Sequence, residues 1–165
     1  MIIVVIGVTG AGKTTVGKAL AKRLGWPFLD ADDFHGEGNW RKLERGIALT
    51  DADREPWLAR LRQELGSVLD RGESAVLACS ALRQAYRDAL VPPGAPSGQV
   101  RFIHLHVEPK TIESRLAART GHRASATLLQ SQLDQFELAP DALRVDAGEP
   151  PERIVQSVVS ALGLA

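Results

Sequence analysis

The stretch GVTGAGKT, residues Gly7 to Thr14, determines how the rest of the sequence is interpreted. It matches the pattern G-x-x-x-x-G-K-[ST], and it follows the β-branched run Ile2 to Ile6, which is typical of a strand buried on both faces. A helix is expected from about Lys13, because apolar residues recur after it at helical spacing. Strand, glycine-rich turn and helix form the context in which this pattern cradles nucleotide phosphates.

The residue types of the turn suit phosphate binding. Glycines allow positive φ and leave room for phosphate oxygens, while backbone N–H groups and the helix N-terminus supply positive potential. Lys13 can reach the β- and γ-phosphates, and Thr14 can place its hydroxyl on Mg²⁺. The alternative is a glycine-rich turn that binds nothing, and the full motif in its expected context argues against it. The predicted nucleotide-binding residues are Gly7, Thr9, Gly10, Ala11, Gly12, Lys13, Thr14 and Thr15.

The remaining sequence alternates short apolar runs with helical patterns, which predicts one α/β domain over residues 1–165. We expect a five-stranded, mostly parallel sheet flanked by helices. In such sheets ligands bind beyond the carboxyl ends of the strands, where Asp30 and Ser80 fall. Further strands are predicted at residues 27–30, 74–79, 102–107 and 143–147.

Local signals define some elements between these strands. Thr50 and Asp53 resemble a capping box that opens a helix. Residues 34–50 look rich in loops with some helix, and residues 82–90 are expected to be helical. Pro109 is expected to open a helix that runs to about Thr120.

Composition excludes several classes of protein. The 20 basic and 20 acidic residues give a formal net charge of 0, so bulk charge does not indicate nucleic-acid binding. The N-terminal run MIIVVIG is too short to span a bilayer, so no membrane association is expected. The single cysteine, Cys79, cannot form an internal disulfide and fits a reducing compartment. A cytoplasmic protein is the default expectation.

The acidic stretch DADDFH, Asp30 to His35, follows the second predicted strand. Alone it is compatible with a metal site, an acid/base pair or an ordinary polar turn. A GTPase should carry an N-K-x-D signature, and none is present. A mechanical ATPase usually has an acid at the end of its Walker-B strand, whereas SAVLAC ends in Cys79. No second His or Cys stands at zinc spacing near His35. These observations indicate a small phosphotransferase.

Several blocks together resemble the gluconokinases of the P-loop kinase superfamily, relatives of shikimate and adenylate kinases. The resemblance runs in order over nearly the whole chain, and the blocks after the P-loop are the specific ones. It implies a P-loop kinase fold with a mobile lid at about residues 119–135, and ATP-dependent phosphorylation of D-gluconate to 6-phosphogluconate with Mg²⁺. The blocks are GVTGAGKTTVGKAL, FLDADDFH, LTDADREPWL, ACSALRQAYRD, ESRLAARTGH and SQLDQFE.

The resemblance also implies roles for the acceptor-side residues, which lie in a segment at about residues 32–60. Asp32 is expected to orient the attacking hydroxyl and accept its proton, while Asp30 binds Mg²⁺ through water. The division of roles among these two and Asp33 stays open. Arg54 is the candidate for the gluconate carboxylate, because a guanidinium matches a carboxylate in a fork. Asp32, His35 and Asn39 are expected to bind its hydroxyls.

Further site residues follow from the same resemblance. Arg119, beside the lid, is expected to stabilise charge on the transferred phosphoryl group, and Arg115, one helical turn earlier, to bind the nucleotide. Ser80 and His122 are expected to contact substrate. Arg83 is expected to contact substrate or the γ-phosphate, with an ordinary surface arginine as the alternative.

The chain departs from the family pattern in a few places. Gly36 replaces a proline, GHRAS at residues 121–125 lacks the usual apolar residues, and VDAGEP near the C-terminus lacks an acid. Lid contacts and nucleotide preference are therefore the open parts of the resemblance. A kinase for shikimate or another polyol acid, and a non-catalytic nucleotide-binding module, remain the alternatives. Family members are often dimers, so a homodimer is possible.

Overall fold

The structure is a computed structural model that describes residues 1–118 and 124–164. The strands in these ranges are β1 Ile2–Ile6, β2 Phe28–Asp30, β3 Ala75–Ala78, β4 Val100–His106 and β5 Leu143–Asp146. The helices are α1 Lys13–Leu24, α2 Glu37–Glu44, α3 Asp51–Asp70, α4 Gln84–Leu90, α5 Pro109–Ala118, α6 Ala124–Gln135 and α7 Pro151–Ala161. A 3₁₀ turn, Ala31–Phe34, follows β2.

The sheet has the strand order β2-β3-β1-β4-β5, and every neighbouring pair is parallel. The predicted α/β class and five-stranded sheet are therefore confirmed. β1 lies in the centre with all its residues buried, and its side chains alternate between two cores. Ile3 and Val5 pack into one core and Ile2, Val4 and Ile6 into the other, as a period of two requires.

The predicted boundaries differ from the observed ones by up to two residues, and the largest differences are at the starts of α4 and β4. The fourth helix begins at Gln84, not Leu82, because Leu82 is buried in the loop and its carbonyl accepts hydrogen bonds from Glu137 and Arg87. β4 begins at Val100, two residues earlier than expected.

The predicted capping box at the start of α3 is confirmed. The Thr50 hydroxyl accepts from the Asp53 amide at 3.2 Å, and the Thr50 amide donates to the Asp53 carboxylate at 2.8 Å. Lys42 of α2 lies 2.7 Å from both oxygens of that carboxylate. Its hydrogen bonds, followed by those from Thr50, lower the pKa of Asp53 to about 2. This contact fixes α2 against the start of α3.

The turn after β1 needs glycine for space as well as for conformation. Gly10 has φ +77°, and an added Cβ would lie 2.7 Å from the Ile112 side chain. Gly12 has φ +96° and directly precedes α1. None of the helices within the described ranges combines the length and apolarity needed to cross a membrane.

Two helical glycines give a stability prediction with opposite signs. Gly17→Ala in α1 would put a Cβ 2.7 Å from the Phe28 ring, so we expect it to lower the free energy of unfolding by about 1–3 kcal/mol. Gly66→Ala in α3 would meet only Pro92 at 3.7 Å, so we expect a gain of about 0.5–1 kcal/mol from helix propensity. Urea unfolding of both variants measures this, and a Gly17→Ala variant as stable as the parent or more stable would contradict the packing described for α1.

Candidate active site

A cleft of about 680 Å³ opens at the carboxyl ends of the strands. Its walls come from the P-loop, the 3₁₀ turn after β2, the end of β3, and helices α3, α4 and α6. The Gly7 amide donates to the Ser80 carbonyl at 3.4 Å, which joins the loops after β1 and β3. The size of the cleft and its position at the carboxyl ends of the strands suit a small-molecule site.

The P-loop forms one wall of this cleft. Lys13 begins α1, and its Nζ donates to the Val8 carbonyl at 3.0 Å. Two further loop residues do not line the cleft. Ala11 is buried, and Gly7 has φ +148°. The other predicted nucleotide-binding residues line the cleft: Thr9, Gly10, Gly12, Lys13, Thr14 and Thr15.

The two residues predicted to hold Mg²⁺ lie together. The Thr14 hydroxyl donates to Asp30 Oδ2 at 3.2 Å, and Asp30 Oδ1 accepts from the Asp32 amide at 3.1 Å. Hydroxyl and carboxylate oxygens are the hard ligands that Mg²⁺ prefers. Within the described residues, no group of three or more His, Cys, Asp and Glu side chains could hold a metal alone. The pair therefore fits a Mg²⁺ ion that the phosphates of a nucleotide help to hold.

Asp32 faces the same cleft from the 3₁₀ turn. Its side chain is 71% exposed, and yet the pKa of its carboxyl is raised, first by partial desolvation in the cleft and then by the negative charge of Asp30. Lys13 opposes this shift, and Asp33 adds to it from outside the cleft lining. A carboxylate with a raised pKa accepts a proton more readily than an ordinary aspartate does.

His35 is held as a neutral ring. It stacks on Trp57 with 4.5 Å between ring centroids, and its side chain is only 5% exposed. Burial, followed by the charges of Arg60 and Arg54, lowers the pKa of His35 to about 4. His35 lines the cleft, whereas Asn39 does not. The Asn39 amide donates to the Asp53 carbonyl at 2.9 Å and lies 3.3 Å from His35 Nδ1, so Asn39 holds His35 in place.

Arg54 lines the cleft within a cluster of polar side chains on α3 and α4. The Tyr86 hydroxyl donates to the Asp51 carboxylate at 2.5 Å, and the Arg54 guanidinium donates to the Tyr86 hydroxyl at 3.3 Å. Arg83 lies 3.4 Å from the same carboxylate and is not part of the cleft lining. Tyr86 was missed as a site residue, although it stands in the specific block ACSALRQAYRD.

Of the two arginines predicted on the side of the lid, the structure describes Arg115 and not Arg119. Arg115 donates to the Ala147 carbonyl at 2.6 Å and to the Ala11 carbonyl at 3.5 Å, so it joins α5, the P-loop and the loop after β5. It does not line the cleft described above. Arg119 and His122 lie outside the described residues.

Helix α6 contributes cleft residues that were not predicted as site residues, although they stand in the block SQLDQFE, residues 131–137. Ser131, Gln132 and Gln135 line the cleft. Gln132 Oε1 accepts from the Thr9 amide at 2.6 Å, and the Gln135 amide donates to the Ser131 hydroxyl at 3.0 Å. The block marked this part of the chain, and only the tertiary structure shows that these three side chains line the cleft.

Cys79, also at the edge of the cleft, has an unreactive thiol. The residue is buried, and desolvation raises the pKa of the thiol to about 12. It therefore serves as a small residue directly after β3. Ser80, the next residue, lines the cleft.

A parallel sheet that opens with strand, P-loop and helix, and that places acids beyond the next strand, defines a P-loop phosphotransferase. A family model described as an AAA domain matches residues 2–139. The chain is 44% identical over 149 residues to a probable gluconokinase of Xenopus tropicalis, covering 83% of this chain and 78% of that protein. It is 39% identical over 160 residues to the gluconokinase of Gluconobacter oxydans, covering 95% and 88% of the two chains.

A solved structure supports the same relationship. The crystal structure of a gluconokinase from Sinorhizobium meliloti superposes with a TM-score of 0.85 at 39% identity, covering 98% of this chain and 90% of that one. The chain therefore belongs to the gluconokinase family, and it is a kinase that uses a nucleotide and a small-molecule substrate.

Two half-buried histidines, His35 and His104, give a pH prediction. The ring of His104 stacks on Phe136 at 4.5 Å, and burial lowers the pKa of His104, like that of His35, to about 4. Between pH 6.5 and about 4 the unfolded chain binds protons that the folded chain does not, so stability falls as pH falls through this window. We expect each ring to remove on the order of 1 kcal/mol between about pH 7 and pH 5, after discounting for partial exposure.

The variant His104→Phe keeps the stacked ring and removes one proton-binding site. Urea unfolding of the parent and the variant at the two pH values should therefore show a smaller acid loss in the variant. An equal loss in both proteins would remove His104 from this explanation.

Proposed function

We propose that this kinase transfers the γ-phosphoryl group of ATP to D-gluconate and forms 6-phospho-D-gluconate. The observation that carries the proposal is the convergence of three separate segments in one cleft. The P-loop brings Lys13, the turn after β2 brings Asp32, and α3 brings Arg54. Family membership adds the substrate class, since the relatives named gluconokinase span most of both chains.

The two ends of gluconate match the two sides of the cleft. Its carboxylate needs a cation that can bind in a fork, and Arg54 supplies one from α3. Its accepting hydroxyl must meet the phosphoryl group near the P-loop, where Asp32 lies. The neutral ring of His35 and the hydroxyl of Ser80 stand in the same cleft and can bind hydroxyls without adding charge. Gluconate would therefore lie with its carboxylate toward α3.

The transfer needs positioning and neutralisation of charge more than covalent chemistry. A bond forms between the acceptor oxygen and the γ-phosphorus, the bond from that phosphorus to the β–γ bridging oxygen breaks, and ADP leaves. Asp32 orients the hydroxyl and takes its proton, while Lys13 and the P-loop amides stabilise the phosphate oxygens. Thr14 and Asp30 would hold Mg²⁺, which neutralises phosphate charge when bound. A contribution from Arg119 stays a prediction.

Other expectations join the proposal without further support from the site. These are a single kinase domain over residues 1–165, a lid that closes over the cleft, a cytoplasmic location, no nucleic-acid or membrane partner, and a homodimer. Arg115 is proposed to bind the nucleotide on the side of the P-loop away from the acceptor.

The function predicts ATP-dependent turnover of gluconate in a panel of sugar acids and shikimate, measured by coupled ADP release with Mg²⁺. Asp32→Asn should lower kcat by a factor of about 10² or more, because proton transfer and hydroxyl orientation are lost. ATP binding, measured by calorimetry, should change little. Asp33→Asn is the matched control, since Asp33 does not line the cleft.

The outcomes separate the alternatives. Turnover of another acid without turnover of gluconate would support the kinase activity and reject gluconate as the substrate. ATP binding with no turnover of any acceptor would indicate the nucleotide-binding module. Near-normal kcat in Asp32→Asn would remove Asp32 as the base.

The carboxylate assignment predicts that Arg54→Met raises the KM for gluconate by about 10- to 100-fold and the KM for ATP by less than about twofold. This is the loss expected for a charge-assisted pair. Arg83→Met is a close control, because Arg83 also contacts Asp51 and the Tyr86 ring but lies outside the cleft lining. Steady-state kinetics with each substrate varied would measure both. Equal effects of Arg54→Met on the two KM values would contradict the assignment.

A further inference from the structure

The P-loop is in contact with a side chain from α6. The carboxamide oxygen of Gln132 accepts a hydrogen bond from the Thr9 amide at 2.6 Å. Thr9 and Gln132 both line the cleft. The structure therefore shows an oxygen acceptor on the phosphate cradle, which is the kind of atom that a nucleotide phosphate would bring there.

We propose that Gln132 binds the terminal phosphate of the nucleotide. The inference rests on the proposed use of a nucleoside triphosphate and not on the identity of the acceptor. Ionised phosphate oxygens only accept hydrogen bonds, so the carboxamide oxygen of Gln132 cannot bind them, whereas its Nε2 group can donate to them. A rotation about the last side-chain torsion exchanges these two ends, and this torsion has a broad, roughly two-fold profile.

The side from which Gln132 approaches the P-loop indicates that it binds the terminal phosphate. Gln132 shares its cleft with Asp32 and Arg54, so it reaches the cradle from the acceptor side. Arg115 and the Ala147 carbonyl lie against the other side of the loop and are not part of this cleft. The phosphate that projects toward the acceptor is the one that is transferred, and ADP lacks it. Gln132 therefore contacts ATP at a group that is absent from ADP.

The chain just after α6 is anchored to the loop that follows β3. The Glu137 amide donates to the Leu82 carbonyl at 2.8 Å, and its carboxylate accepts from the Gln84 amide at 2.6 Å. The buried Arg87 donates to the carbonyls of Glu137 and Leu138 at 3.1 and 2.9 Å. These bonds hold the chain just after α6 to the loop after β3, so Gln132 lies on a helix whose C-terminal side has a fixed attachment.

A neutral amide is also the residue type that this position requires. The cleft already carries the carboxylates of Asp30 and Asp32 near the cradle. A glutamate at position 132 would still accept from the Thr9 amide, but it would repel the phosphate at close range. An apolar side chain of similar length would remove the donor without adding charge.

The test is calorimetric binding of a non-hydrolysable ATP analogue and of ADP to the full chain, with Mg²⁺ and without gluconate. Gln132→Met should weaken binding of the analogue about tenfold or more, as expected for one charge-assisted hydrogen bond, and binding of ADP by less than about twofold. Gln132→Glu should weaken the analogue further. Gln130→Met and Gln130→Glu are matched controls on the exposed side of α6, where Gln130 contacts Asp134, and they should leave both affinities within about twofold.

Equal loss of affinity for ADP and the analogue in Gln132→Met would overturn the proposal. Unchanged or tighter binding of the analogue would do so as well, because Gln132 would then only block the empty cradle. Thermal melting checks that each variant is folded, and Gln132→Glu provides a second measurement if the methionine variant is not. Because gluconate is absent, failure here leaves the acceptor assignment intact, and failure to phosphorylate gluconate leaves this binding result intact.

Discussion

The burial of β1 on both faces is the constraint on which the rest of the structure depends. Its side chains fill two cores at once, and its backbone pairs with β3 on one side and β4 on the other. The strand must therefore end in a turn that leaves the sheet at its carboxyl edge, and the next helix must pack back against that sheet. Positive φ angles at Gly10 and Gly12 make this turn possible and leave its amides available to an anion.

The acidic and basic groups of the cleft come from different elements of the fold. The acids follow β2, next to the P-loop lysine, while Arg54 of α3 lies beside Tyr86 and Asp51. His35 stands between these regions as a neutral ring, and Cys79 keeps its proton because it is buried. The cleft can therefore hold phosphates at one end and an organic anion at the other, with uncharged hydrogen-bonding groups between them.

The sequence predicted the fold, and it predicted many of the residues that line the cleft, because both rest on local patterns. Glycine spacing, β-branched runs and strand-end acids are readable without the third dimension, and they led to Lys13, Thr14, Asp30 and Asp32. The weaker predictions concern side chains whose role depends on what lies opposite. Asn39 is predicted to bind substrate, and the structure places its side-chain amide on the Asp53 carbonyl, beside His35 and outside the cleft lining. No pattern within α2 could reveal that contact.

The sequence by itself therefore determined the parallel α/β class, the P-loop, the capping box of α3 and the acids beyond β2, because each depends on spacing within one segment. Only the tertiary structure decided which distant side chains share the cleft. It brought Tyr86 against Arg54 across 32 positions and Gln132 against Thr9 across 123. Neutral amides and hydroxyls acquire a function only from the partners that folding places beside them, and those partners are set by packing of the whole sheet.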